Sequence, residues 1–229
     1  MIKVLSWNIQ QGGGSRIHKI MSALGKIKAQ VVVLSEYRNN SNGQKLRGLL
    51  LAAGYRYQAV SAATAQVNSV IIASTFPFNT QLFPHSDTEY GHSVIKAEFD
   101  AFSVYGMYLP HKKRHRLFDL LLSEISAEKP MILCGDMNTG VNYVDQKGNS
   151  FWYADEFVEI QENGCKDAFR YLHHDIREYS WYSHQGNGYR YDHTLVHEDL
   201  LPIVTGCEYL HIYRETKCAD HSPMLLQIG

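Results

Sequence analysis

Short apolar runs of strand length alternate along this chain with segments whose apolar residues return at helical spacing, and that alternation commits it to an α/β fold. Residues 2–7 and 31–35 (Val31-Val32-Val33-Leu34-Ser35) are compact runs suited to buried strands. Between them Ile17, Ile20, Met21, Leu24 and Ile27 define a helix face, with Ser15 as its expected N-cap. A second helix is predicted over 43–53, stopping at Gly54. Strand signals follow at 55–60, 67–74, 92–99 and 101–108. Leu117, Phe118, Leu121, Leu122 and Ile125 then form one helix face before a strand at 131–134, and a weaker helix is predicted at 153–162. The last strands are expected at 190–196, 206–213 and 222–228. No linker, repeat or low-complexity tract divides the chain, so one domain over 1–229 is the simplest account. Many strands with few crossover helices predict two mixed β-sheets packed face to face with helices outside, a four-layered α/β sandwich.

Charge narrows what can attract a ligand. The net charge is −1 with histidines neutral, which excludes a global electrostatic pull on nucleic acid. Attraction to phosphate must come from local patches or from a bound cation. The start, Met1-Ile2-Lys3-Val4-Leu5, lacks the pattern of a secretory leader, and no apolar run approaches the roughly 20 residues of a membrane helix. Cys134, Cys165, Cys207 and Cys218 are widely separated and form no C-x-x-C pair. They are expected to be reduced thiols in a cytoplasmic protein that contacts no membrane.

The informative feature is what stands at the strand ends. The first strand ends Ser6-Trp7-Asn8, the second Leu34-Ser35-Glu36, a later one Tyr108-Leu109-Pro110, and another Gly135-Asp136-Met137-Asn138. Arg190-Tyr191-Asp192-His193 and Ala219-Asp220-His221-Ser222-Pro223 follow near the C-terminus. Carboxylates and amides at strand ends collect along one edge of an α/β sheet, where ligands bind. Taken singly each has an ordinary reading: Asn8 can cap a turn, Gly135-Asp136 can be turn chemistry, and Asp220-His221 can be a surface pair. Independent turns, however, have no reason to supply this ordered set.

The set resembles the endonuclease/exonuclease/phosphatase superfamily, and within it the exonuclease III-like and abasic-site endonuclease branch. Asp167-Ala168-Phe169-Arg170 and Tyr179-Ser180-Trp181-Tyr182 look like the D-x-F-R and S-W segments of that branch. The resemblance implies a Mg²⁺-dependent phosphodiesterase, with Mn²⁺ as an alternative ion, acting on DNA. It implies Glu36, Asn8 and Asp220 as metal ligands, an oxygen set suited to a hard cation. Asp136 is expected to activate water and Asn138 to hold that water or a phosphate oxygen. His221 is expected to donate to phosphate, oriented by Asp192, with Tyr108 close to the scissile group. Arg38, His111, Lys112, Lys113, Arg114 and Trp181 complete the expected substrate-binding set, and a monomer is expected.

Departures from the family pattern matter. Two residues after the first Asn, where the family often has an acidic or amide side chain, stands Gln10, a neutral and weaker metal ligand, and His111 stands where many relatives carry Asn. Lys112-Lys113-Arg114-His115-Arg116 opens a predicted helix, where cations oppose the helix dipole by ~0.3–1 kcal/mol each. Either these cations hold phosphates or they form a solvated first turn. Trp181 packs against a sugar or base, or belongs to the core. Gly12-Gly13-Gly14 lacks the Lys-Ser/Thr of a P-loop and reads as a flexible turn near the site. A phosphoesterase on RNA, a phosphoinositide, a small phosphate ester or a protein–DNA adduct is the alternative enzyme. A non-catalytic scaffold is disfavoured by the presence of all six polar groups Asn8, Glu36, Asp136, Asn138, Asp192 and His221.

Overall fold

In the computed structural model, residues 1–83, 89–125 and 130–229 are described. In chain order the first half contains β1 (Ile2–Asn8), α1 (Ile17–Ile27), β2 (Val31–Tyr37), α2 (Ser41–Ala52), β3 (Tyr57–Val60), β4 (Ser69–Ser74), β5 (Asn79–Leu82), β6 (Val94–Glu98) and β7 (Ser103–Tyr108). The second half contains α3 (Leu117–Ile125), β8 (Met131–Asp136), α4 (Ala154–Glu162), β9 (Cys165–Asp167) and α5 (Ala168–Leu172). It closes with β10 (Trp181–Tyr182), β11 (Gly188–Tyr189), β12 (Asp192–His197), β13 (Val204–Tyr209), α6 (Ile212–Glu215) and β14 (Met224–Ile228).

Two six-stranded mixed sheets result, ordered β13-β14-β1-β2-β4-β3 and β5-β6-β7-β8-β12-β9. Each has one parallel pair at its centre, β1–β2 in the first and β7–β8 in the second. The period-2 alternation of the strands divides their side chains between layers. Val4, Val31, Val33, Val70 and Ile72 face Ile95, Val104, Ile132, Cys134 and Val196 between the sheets. Leu5, Trp7, Val32, Leu34 and Ile71 face outward against α1 and α2 through Ile20, Leu24, Leu46 and Leu50. On the far side, Tyr105, Met107, Leu133 and Leu195 meet Phe118 and Leu121 of α3 and Phe157 and Ile160 of α4. Burying each such side chain stabilises the fold by roughly 1.5–3 kcal/mol. The layers are therefore helices, sheet, sheet, helices, as the strand-rich pattern implies. Gly106 lets the sheets approach, since a Cβ there would stand 2.7 Å from Val33 Cγ1.

Several boundaries differ from the sequence reading. Ser15 does not cap α1: it lies in a 3₁₀ turn, Gly14–Arg16, and Arg16 occupies the cap position without a side-chain bond. For α2 the cap is Asn40, whose side chain accepts from the Gly43 amide at 3.1 Å. The strand expected at 206–213 ends at Tyr209, because Leu210 and His211 turn the chain into α6. The short elements β5, β9, α5, β10 and β11 carry too few residues to show a period. All four cysteines are buried and unpaired.

Candidate active site

β1, β2, β7 and β8 end along one edge of the sandwich, and the loops entering β12 and β14 reach the same edge. There, Glu36, Tyr108, Asp136, Asn138, Asp220 and His221 line a single cleft of about 230 Å³, whose aromatic wall is Trp181 and Tyr191. His111 closes it on the side next to Asn138.

Asn8 is fully buried and joins the two carboxylates. Its Nδ2 donates to Asp136 Oδ2 at 2.8 Å and to Glu36 Oε1 at 3.1 Å, while its Oδ1 accepts from the Gln10 amide. Glu36 is aimed by the backbone. The β2–β4 register slips between Ser35 and Tyr37, and Glu36 takes φ 55°, a left-handed conformation costly for a non-glycine residue. That turn brings Oε2 within 2.7 Å of the Gln11 amide, and the Glu36 carbonyl accepts from Gly12 at 2.7 Å. The Gln11-Gly12 turn that opens the glycine run, with both residues at positive φ, thus grips Glu36 from both ends.

Asp136 closes β8 after Gly135, where φ is 148° and a Cβ would fall 2.0 Å from the Met107 carbonyl oxygen, so only glycine fits. Beyond it the strand stops. Asn138 leaves the strand direction: it adopts φ 51°, and its amide donates to Asp136 Oδ1 at 3.1 Å. Its side chain still faces the cleft, held by Nδ2 donating to the Leu109 carbonyl and by Oδ1 facing His111 Nδ1 at 3.1 Å.

His221 and Asp192 form a buried pair, Nδ1 to Oδ2, at 2.7 Å. His221 Nε2 points at Asp136 Oδ2, 4.0 Å away. Burial works against charge on this imidazole, but Asp192, Asp136 and Asp220 outweigh it and raise its pKa to about 10. Asp136 moves the other way from an ordinary carboxyl: burial pushes it up to about 7, against the pull of His221. Tyr108 is raised by burial and by the Glu36 and Asp136 carboxylates, so its hydroxyl keeps its proton.

The pair's alignment depends on Ser180. Its hydroxyl accepts from the amides of Tyr191 and Asp192 at 3.1 and 3.2 Å, while its carbonyl accepts from Ser222 at 2.9 Å. One buried serine therefore ties both neighbouring strands, and Trp7 Nε1 adds a bond to the His221 carbonyl at 3.1 Å. Tyr191 and this use of Ser180 escaped the sequence reading. Their signal was adjacency alone, since Tyr191 precedes Asp192 and Ser180 precedes Trp181.

Two groups of residues can be weighed as cation ligands. Asp136, Asp192 and His221 offer ligand atoms within 4.8 Å of one another. A protonated imidazole paired to Asp192 has no lone pair to give, so this trio is better suited to proton and phosphate chemistry. Glu36 and Asp220 offer carboxylate oxygens and Asn8 an amide oxygen that also accepts from the Gln10 amide, and Asp220 Oδ1 is buried without a hydrogen-bond partner. Hard oxygens with one unsatisfied carboxylate atom fit a Mg²⁺-like ion.

Not every expected substrate contact lines the cleft. Trp181 is half-buried rather than core; its ring lies 6.3 Å from that of His221. Lys112 lines a small adjoining pocket with Asn149 and Trp152, joined to the cleft through His111, Asn138 and Tyr191. Arg38 is outside the cleft wall, its Nε donating to Asn68 at 2.7 Å. Lys113 and Arg114 are exposed and also outside the wall. The basic cluster does not form the first turn of a helix: residues 113–116 precede α3 in irregular backbone, which removes much of the dipole cost. The D-x-F-R segment is structural. Asp167 caps α5 and, with Asp145, encloses the fully buried Arg190.

Comparison with known proteins follows the same lines. Residues 5–221 match the model of the endonuclease/exonuclease/phosphatase family. An exodeoxyribonuclease of Bacillus subtilis (strain 168) is 30% identical over 163 residues, covering 59% of this chain and 64% of that protein. A DNA-(apurinic or apyrimidinic site) endonuclease of Dictyostelium discoideum is 24% identical over 236 residues, covering 89% of this chain and 64% of that protein. The chain thus matches just under two thirds of the length of these curated relatives. Among solved structures, an AP endonuclease from Archaeoglobus fulgidus superposes with a TM-score of 0.87 at 21% identity, each chain fully covered. A 3′ phosphatase from Neisseria bound to a product DNA hairpin gives 0.86 at 18% identity, again with full coverage. With the family match running from the first strand to the histidine of the closing motif, the chain belongs to the endonuclease/exonuclease/phosphatase family.

Proposed function

We propose that this chain is a divalent-metal-dependent phosphodiesterase acting on DNA, of the exonuclease III type, cutting at abasic sites, trimming 3′ ends, or both. The observation that carries the reading is the convergence of Glu36, Asp136, Asn138 and His221 on one cleft, with Asn8 and Asp192 bonded directly behind them. Relatives named for exodeoxyribonuclease and abasic-site endonuclease activity support DNA as the substrate.

In this reading Glu36, Asn8 and Asp220 hold the Mg²⁺, with Mn²⁺ as a substitute. When bound, the ion supplies polarisation of a phosphoryl oxygen and neutralises developing charge. Asp136, kept by Asn8 and the Asn138 amide in one orientation, accepts the proton of the attacking water. The pKa to which burial raises it matches a base working near neutrality. His221, held protonated by Asp192, donates to a non-bridging oxygen from a fixed direction. Tyr108 and Asn138 present donors at the cleft wall, and Trp181 and Tyr191 exclude water on the side where a sugar would stack. Lys112, Lys113 and Arg114 supply phosphate contacts outside the cleft.

The test is a parallel assay with Mg²⁺ or chelator. Its substrates are duplex with an abasic site, duplex with a recessed 3′ end, single-stranded RNA, and an inositol phosphate. Mg²⁺-dependent cleavage of either duplex is expected. Turnover confined to RNA or the inositol phosphate would transfer the same chemistry to another substrate class.

A further inference from the structure

Residues 37–86 contain no Asp or Glu, yet they carry Arg38, Lys45, Arg47 and Arg56. At the chain's average of 23 acids in 229 residues, a stretch of that length would hold about five; since the whole chain is −1, the remainder is −5. The fold uses this segment to build one flank of the first sheet, with the end of β2, then α2, the edge strand β3 and β4, and then the edge strand β5 of the second sheet. Between α2 and β3 lies an open groove of about 420 Å³ lined by Gln44, Arg47, Gly48, Leu51, Arg56 and Gln58.

Arg47 is held ready in this groove. Gln58 accepts from Arg47 Nε at 3.3 Å and is itself fixed by donating to the carbonyls of Arg47 and Tyr55, both at 3.0 Å. Among the described residues neither Arg47 nor Arg56 forms an ion pair with a carboxylate. Two cations, two amides and an apolar floor from Leu51, more than half exposed, match a sugar–phosphate backbone, which offers anionic oxygens and an apolar sugar face. Register gives the distance. Gln58 pairs with Ala73, and Ala73 with Val32, four residues below Glu36. At 3.3 Å per strand residue and about 4.8 Å per strand, the groove lies about 13 Å below Glu36 and about 10 Å to its side, a separation of roughly 16 Å or about five nucleotides at 3.4 Å per step.

We infer that the α2–β3 groove is a second nucleic-acid contact, seating the phosphodiester backbone of a flanking strand several nucleotides from the cleaved bond. The inference rests on the DNA reading of the cleft for the identity of that strand. Binding can be followed without cleavage, by fluorescence anisotropy of a labelled 30-base-pair duplex in chelator, for the wild-type chain and for R47Q/R56Q. Loss of two phosphate contacts flattens the log K against log salt slope by about 1.8 and weakens binding about tenfold at low salt. A labelled trinucleotide, about 10 Å long at 3.4 Å per step and so too short to span cleft and groove, shows a much smaller loss. R56E, a reversal at an exposed position that does not threaten folding, weakens long-duplex binding further. An unchanged slope, an equal loss on the long duplex and the trinucleotide, or a loss seen only for an acidic polypeptide such as polyglutamate would overturn the inference. Absence of metal-dependent cleavage by the wild-type chain would instead overturn the reading of the cleft, while these titrations still decide the groove.

Discussion

Replacing Arg190 with Met tests how the site is supported from behind. Arg190 is fully buried and bonds Asp145 through Nε at 2.8 Å and Nη2 at 2.9 Å, and Asp167 through Nη2 at 2.6 Å. Its amide also donates to the Asp145 carbonyl at 2.8 Å, which fastens the 141–152 loop to the start of β12 just before Tyr191 and Asp192. Removing the guanidinium leaves Asp145 with Arg170, at 2.6 Å, and Asp167 with the His193 ring, whose Nδ1 stands 3.7 Å away. Breaking one partner of a buried ion pair costs about 3–5 kcal/mol. At 2–4 °C per kcal/mol for a chain of this size, the melting temperature should fall by about 6–20 °C. Burial opposes ionisation of Asp145 and Asp167, but Arg190 outweighs it and lowers both pKa values. The stabilisation is therefore present above the unfolded carboxyl value and lost as pH falls through the folded one, so the gap between wild type and variant should close in acid. Urea unfolding followed by tryptophan fluorescence at neutral and acid pH measures both. A loss below about 1 kcal/mol at neutral pH, or a gap that does not depend on pH, would refute the assignment. Adding Asp167→Asn to R190M should recover part of the loss by removing an uncompensated charge.

Other consequences are more local. Asp192→Asn should lower kcat by roughly 10²–10⁴-fold, since it releases His221 from its charged orientation, and should also lower the melting temperature, because buried His221 loses the carboxylate that holds its proton; near-normal turnover would contradict that role. Neutralising Lys112, Lys113 and Arg114 together should weaken DNA binding and reduce its salt slope by about one per lost phosphate contact, measured by anisotropy over a salt series. His115, stacked 4.3 Å from the Tyr153 ring, has its pKa lowered to about 4, mainly by burial. It stays neutral in the fold while the unfolded chain binds a proton, so its contribution is lost as pH falls from about 6.5 towards 4. His115→Phe should therefore flatten the acid limb of stability in that window, and an unaltered limb would assign the acid sensitivity elsewhere.

The layers of the fold were legible because strands buried on both faces read as unbroken apolar runs, as in Val31-Val32-Val33-Leu34, and helices as periodic ones. The cleft was legible for a related reason. Polar residues such as Asn8, Glu36 and Asp136 interrupt those runs where the chain leaves the sheet, and the sheet edge gathers them. What stayed hidden depends on contacts between distant positions. Asn8 was expected as a ligand, but it also bridges two carboxylates 28 and 128 residues away. Arg190 finds its partners 45 and 23 residues back, and nothing in its neighbourhood marks it as buried. Backbone conformation was equally invisible, since neither the left-handed turn at Asn138 nor the bulge at Glu36 follows from residue type.

In the proposed mechanism Asp136 stands within one assembled cleft and takes a proton from water. Single-turnover cleavage of an abasic-site duplex by Asp136→Asn, in Mg²⁺ and beside the wild type, tests it most directly. The expected result is a rate at least about 10²-fold lower with duplex binding and melting temperature retained. Turnover equal to the wild type in a folded variant would contradict it.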